Sequence, residues 1–271
     1  MNNFGEFARE TAALTSRWIL HSLRKPIVIV AGLFQPLVWL FLFGSVFRNV
    51  PTAAILAHGE NYRAFLAAGV IMFTAFNAAL SAGVPVLFDK ENLFLDRLLA
   101  APLASRLSIA AASAIHIFGM SLTQTLLVLG VSAFYSGAIT LTLPMVLGVV
   151  GFSALLVFGF TAFSLWLAFS LRAHFEMLSL IQLLALPMIF VSTALAPLAM
   201  MPEWLRWPAS LNPLTLAIEP VRHLLLQRGA GVAVLDAPWG QLGMAGCAGA
   251  LVLFDLLMVI VLGTFLKRTL R

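Results

Sequence analysis

Six stretches of this chain stay apolar for at least 20 residues: 27–47, 64–88, 107–135, 143–171, 177–196 and 241–266. A helix crossing the hydrocarbon of a bilayer needs about 20 such residues. Backbone in lipid must satisfy its own hydrogen bonds, which leaves helices as the solution for runs of this length. The remaining composition agrees. Charged residues make up 10% of the chain and hydrophobic ones 61%, where a soluble domain carries about 25% charged residues. The predicted fold is an all-α polytopic membrane protein with six transmembrane helices, forming a single domain over 1–271.

Six crossings put both termini on one face. Eleven lysines and arginines fall on the side of the termini (Arg9, Arg17, Arg24, Lys25, Lys90, Arg97, Arg106, Arg172, Lys267, Arg268, Arg271), against five on the other (Arg48, Arg63, Arg206, Arg222, Arg228). Basic residues favour the cytoplasmic side, so both termini are expected there. The same rule accounts for the net charge of +5 without nucleic acid as a partner. Cys247 stands alone in an apolar run, which provides neither a disulfide framework nor a zinc site.

Residues 1–25 are amphipathic, with Phe4, Phe7, Leu14, Trp18, Ile19 and Leu23 at roughly helical spacing. Such a helix lies in the membrane interface, and Pro26 ends it before the first span. It reads either as a simple anchor or as an elbow that also borders a cytosolic partner.

Between the second and third runs, 89–106 carries six charges in 18 residues: DKENLFLDRLLAAPLASR. The good helix formers at 90–101, with Asp89 or Asn92 as caps and Pro102 as the stop, predict a short helix outside the bilayer. Leu93, Phe94, Leu98 and Leu99 form its apolar face, with Asp96 and Arg97 beside it. It can cover the ends of two spans or rest in a groove on a soluble protein.

The order Glu91…Asp96-Arg97-Leu98-Leu99-Ala100-Ala101-Pro102-Leu103-Ala104-Ser105-Arg106 resembles the coupling-helix region of type-2 ABC exporter permeases. Where that family usually has Gly-Thr or Gly-Ser before the second acid, this chain has Leu93-Phe94. A second stretch, Leu211-Asn212-Pro213 through Glu219-Pro220-Val221-Arg222, is similar to the family's Asn-Pro…Glu-x-x-Arg segment. The resemblance covers the whole chain. It implies an elbow helix at 1–25 and a segment at 89–106 that docks a soluble ABC ATPase through Glu91, Leu93, Phe94, Asp96, Arg97, Leu98, Leu99 and Pro102. It also implies pairing with a second copy or a homologous permease. ATP and Mg would then belong to the partner ATPase, with no cofactor in this chain, no catalytic residue and no metal site.

Residues 197–240 form the second long connection, divided by Pro197, Pro202, Pro208, Pro213 and Pro220 and rich in Trp and Met. Two short helices fit, near 202–207 and 214–227. They are interfacial helices held by Trp residues or, as the resemblance implies, re-entrant external helices forming a gate. Trp204, Asn212, Pro213, Glu219 and Arg222 would belong to that gate, and Glu219 and Arg222 are spaced to pair.

Asp255 is the one acid within a predicted span, a costly placement that faces the protein interior by default. Expected neutral partners are His116, Gln124 and Gln182. Asp255 reads as polar glue between helices or as part of a pathway, and His116 as a packing residue. The small residues at 240, 243, 246, 249 and 250 suit close helix packing within the subunit or at a dimer contact.

Several other chemistries lack their residues. Ser132 in Gly130-Val131-Ser132-Ala133 has no histidine in a later span to activate it. No Gly-x-x-x-x-Gly-Lys-Ser/Thr phosphate loop occurs in the sequence, so ATP hydrolysis would fall to another polypeptide. The expected function is the permease subunit of an exporter for a drug, lipid, glycolipid or similar amphiphile. A secondary transporter or a non-catalytic membrane scaffold is the alternative. The first of these predicts an inverted repeat that the two halves do not display.

Overall fold

In the computed structural model the chain is described over residues 3–24, 26–47, 62–91, 107–228 and 233–269. Helix α1 (Asn3–Arg24) lies along the start of α5 (Leu107–Ser136) and meets α2 (Pro26–Val46) at Pro26. Proline is tolerated there because the first helical N–H has no intrahelical partner. On α1 the buried face is Thr11, Thr15 and Trp18, while Ile19 and Leu20 are exposed. The Thr15 hydroxyl donates to Thr11 O at 2.8 Å. Trp18 packs 6.2 Å from the His116 ring of α5.

Helix α3 (Tyr62–Leu80) is the centre of the molecule, packed against α2, α5, α6 (Leu143–Ser170) and α9 (Pro213–Leu225). Its apolar residues from Phe65 to Phe76 are almost completely buried. The second apolar run was expected to be continuous to residue 88, but the helix breaks over residues 81–83 and resumes as α4 (Val84–Glu91). A break at bilayer depth frees backbone groups that need partners. Ser164 of α6 supplies them: its hydroxyl donates to Leu80 O at 2.6 Å and accepts from Gly83 N at 2.9 Å. Asp89, Lys90 and Glu91 therefore end α4 instead of starting a separate helix, and the rest of the 89–106 segment lies outside the described residues.

The fifth run was expected to be helical to residue 196, but α7 (His174–Phe190) stops earlier. Its last carbonyls are taken by a side chain from the next segment: Asn212 Nδ2 donates to Met188 O at 2.9 Å and to Val191 O at 2.5 Å. A 3-10 turn (Leu198–Met200), α8 (Glu203–Leu211) and α9 follow. They match the two short helices expected. The Asn212 side chain also caps α9, accepting from Leu214 N at 2.9 Å.

The structure is mostly helical, as expected for an all-α membrane protein, with one small exception. Leu235–Ala237 and Gly240–Leu242 pair as a small antiparallel hairpin, β1 and β2, with Gly240 at φ 144°. Gln241, expected at the start of the sixth span, belongs to this hairpin, and the final helix α10 is Met244–Thr269. It packs on α6 and α9, with Cys247, Leu251 and Asp255 buried. Gly243 and Gly249 have nothing within 4 Å, so close packing inside the subunit is not their role.

Among the described residues, four helical stretches are long and apolar enough to cross a membrane: Tyr62–Glu91, Ala114–Ser136, Leu143–Ser170 and Met244–Phe265. Gly32–Val46 and His174–Phe190 are shorter apolar helices. Leu253, Leu256, Ile260, Phe34, Leu183 and Phe190 are exposed, a distribution that suits lipid and would drive aggregation in water.

Candidate functional site

At the end of the molecule from which residues 92–106 leave, α4 is fastened to both sides of the turn between α6 and α7. Lys90 Nζ donates to Phe169 O at 3.2 Å and Leu171 O at 2.9 Å, carbonyls at the C-terminal end of α6. Glu91 accepts from His174 N at 2.7 Å and pairs with the His174 ring, at the first residue of α7. Each charge complements its helix end: a cation at the negative C-terminus and a carboxylate at the positive N-terminus. Phe88 meets the His174 ring edge-on at 5.8 Å. Asp89 faces Arg17 of α1 at 3.7 Å. Helix α1, α4 and the α6–α7 turn thus form one unit.

Of the residues predicted to dock an ATPase, Glu91 is in this unit. Leu93, Phe94, Asp96, Arg97, Leu98, Leu99 and Pro102 lie outside the described residues. Sequence reasoning missed Lys90 and His174 as members, because their partners lie across 79 to 83 residues of chain.

Above this unit an open cavity of about 1110 Å³ is bounded by α1, α2, α3, α4, α5 and α7. Its lining mixes Phe73, Ile117 and Ile181 with the polar Gln35, Asn77, Gln124 and Gln182. It can hold a molecule with both a polar and an apolar part.

At the opposite end, α9 is buried along most of its length. Arg222 is 1% exposed and joins three elements. It pairs with Glu219 on α9, donates from Nη2 to Thr193 O at 2.5 Å just past α7, and stacks over Phe65 of α3 at 3.6 Å. Thr193 N in turn donates to Thr215 Oγ1 of α9 at 3.2 Å. Burial, then the Arg228 cation, holds His223 below the ordinary imidazole range. Asn212, Pro213, Glu219 and Arg222 thus share the α9 unit, whereas Trp204 is 74% exposed on α8.

Asp255 is buried against Gly159 of α6, where a methyl would also lie 2.7 Å from Phe254 Cε1. The expected neutral partners sit elsewhere. His116 packs on Trp18, and Gln124 and Gln182 line the cavity, which Asp255 does not. The α6–α10 pairing turns Asp255 away from α5 and α7.

A family model described as ABC-2 type transporter matches residues 9–226. A Porphyra purpurea protein named "Putative transport permease ycf38" is 38% identical over 268 residues, 98% of this chain and 91% of the relative. Its namesake from Pyropia yezoensis is 38% identical over 266 residues, 97% and 90% of the two chains. That of Cyanophora paradoxa is 40% identical over 218 residues, 80% and 74%.

Proposed function

The chain belongs to the ABC-2 type transporter family, and from that premise we propose that it is the permease of an ATP-driven exporter of amphiphilic molecules. It is a multi-pass membrane protein of a family that supplies the membrane subunit and works with an ABC ATPase. The proposal adds export, six crossings with both termini in the cytoplasm, and the bacterial cytoplasmic membrane. It also adds a second permease, the chain itself or a homologue, and a soluble ATPase docked on residues 89–106. External re-entrant helices at 197–240 would act as a gate and α1 as an elbow.

The observation that carries this reading is the fastening of α4 to both flanks of the α6–α7 turn by Lys90 and Glu91. A push on the segment after Glu91 meets a rigid lever attached to three helices, and motion of that lever repacks the walls of the cavity. Rigid-body shifts of this kind link a soluble motor to a membrane path. ATP and Mg are assigned to the partner ATPase.

The test is co-purification with an ABC ATPase from the same genome, followed by ATP hydrolysis assays in lipid. Leu98→Asp with Leu99→Asp is expected to abolish the complex and its activity. An intact, active complex from that variant would remove the docking assignment. Cysteines placed at Ser105 and Pro208, with Cys247 replaced, are expected to react with impermeant reagents from opposite faces.

A further inference from the structure

We infer that a second cavity, beside the Glu219–Arg222 pair, binds a phosphate oxyanion of the kind a phospholipid head group carries. It encloses about 470 Å³ and is lined from the Leu198–Met200 turn, α8, α9 and β1. Three guanidiniums line it, those of Arg206, Arg222 and Arg228, against two carboxylates, those of Glu219 and Asp236. Glu219 is already committed to Arg222. Asp236 is exposed on β1 and forms no ion pair with a described residue. Three cations against two anions leave the lining one positive charge in excess, the complement of a phosphodiester. The inference goes beyond the permease reading and does not depend on ATPase docking.

Arg206 is the residue that points to an oxyanion. Its Nε donates to Leu198 O at 3.0 Å and its Nη2 to Ala199 O at 3.0 Å, so one edge of the fork is fixed on the carbonyls of the turn. A guanidinium carries five N–H donors in a rigid plane. Both donors of Nη1 and the second of Nη2 have no acceptor among the described residues, and no described carboxylate pairs with the side chain. One donor from each terminal nitrogen points the same way, the arrangement that takes two oxygens of a phosphate. The side chain is half-buried, and Phe65 and Val234 give the same cavity apolar walls. A cation shielded there without a counter-charge loses hydration that a bound anion would offset. The helix that carries it also suits a membrane surface. Trp204, Trp207 and Leu211 recur at i, i+3 and i+7 of α8 and are exposed, while Arg206 falls on another face. Exposed tryptophans belong at the head-group level of a bilayer, where phospholipids hold their phosphates. Dissolved phosphate is the other source of the same group.

The test uses the full chain in non-ionic detergent, titrated with phosphatidylglycerol or with diacylglycerol of the same acyl chains, with bound lipid read by native mass spectrometry. Wild type is expected to bind the phospholipid about tenfold more tightly, the scale of one charge-assisted pair. Arg206→Lys keeps the charge without the fork and is expected to lose most of that difference. Asp236→Asn, an exposed change that removes the opposing carboxylate, is expected to raise phospholipid affinity about threefold. Arg63→Met is the control, since Arg63 lies over the Tyr135 ring and outside the cavity, and it is expected to change nothing. Thermal unfolding with inorganic phosphate in place of lipid separates the two sources. Stabilisation that Arg206→Lys abolishes assigns the site to dissolved phosphate, and its absence beside a phospholipid preference assigns it to lipid. Equal binding of diacylglycerol with no stabilisation by phosphate would overturn the inference. So would a preference unchanged in Arg206→Lys, one not raised in Asp236→Asn, or one that Arg63→Met lowers as much as Arg206→Lys does.

Discussion

Glu91 ends α4 and caps the first residue of α7, accepting from His174 N at 2.7 Å and pairing with its ring, across 83 positions of sequence. The contact is solvent-facing, so its value is geometric: it fixes the end of α4 against the start of α7. Glu91→Ala is expected to leave ATPase co-purification intact and to reduce ATP hydrolysis by the assembled complex several-fold. His174→Ala is expected to do the same, and the double variant to be no worse than either single, as two members of one contact require. Normal hydrolysis with His174→Ala would show that Glu91 acts on the ATPase directly and not through the α6–α7 turn.

Gly69 of α3 lies where the chain emerges from α7. A methyl there would stand 2.8 Å from Ala194 Cα and 2.9 Å from its carbonyl carbon, both backbone atoms that cannot rotate aside. Gly69→Ala is expected to cost about 1–3 kcal/mol through overpacking, read as a lower unfolding temperature in detergent. Gly151→Ala on α6 is the control. Nothing lies within 4 Å of that position, so the change is expected to be neutral or to stabilise by up to about 1 kcal/mol through helix propensity.

The membrane architecture was legible because lipid tolerates few backbone solutions, and long apolar runs announce them. The ends and breaks of those helices were not legible. The gap at residues 81–83 depends on a serine 81 to 84 positions away, and the early end of α7 depends on Asn212 more than 20 residues later. Local propensity carries no trace of either partner. Glu219 and Arg222 were readable as a pair from their spacing, but their links to Phe65 and Thr193 depend on tertiary packing. The amides were visible as polar letters in apolar runs. Their convergence on one cavity, away from Asp255, follows from how α2, α5 and α7 are arranged.

Asp255 faces Gly159 across the α6–α10 contact and stands outside the cavity. A proton-coupled role needs a relay of further ionisable groups, and the expected partners His116, Gln124 and Gln182 line the cavity instead. Asp255→Asn is expected to preserve assembly and ATP-driven transport, with the same response to an imposed pH gradient as wild type. Loss of transport with retained ATP hydrolysis would make Asp255 part of the path.

Arg222 ties α9 to both α3 and the exit of α7. Its pair with Glu219 is buried, at 1% and 10% side-chain exposure. Removing one member of such a pair leaves the other charge uncompensated, at a cost of about 3–5 kcal/mol. Arg222→Met and Glu219→Leu are therefore each expected to lower the unfolding temperature in detergent sharply. Together they remove both charges and fill similar volume, so the double variant is expected to recover most of the loss. Arg222→Lys separates charge from shape: an ammonium keeps the cation but lacks the planar fork that reaches Glu219 and Thr193 while lying flat on Phe65. It is expected to fall between wild type and Arg222→Met. If the double variant is as unstable as the singles, the hydrogen bond to Thr193 and the stack on Phe65 hold α9 in place, and the ion pair is incidental.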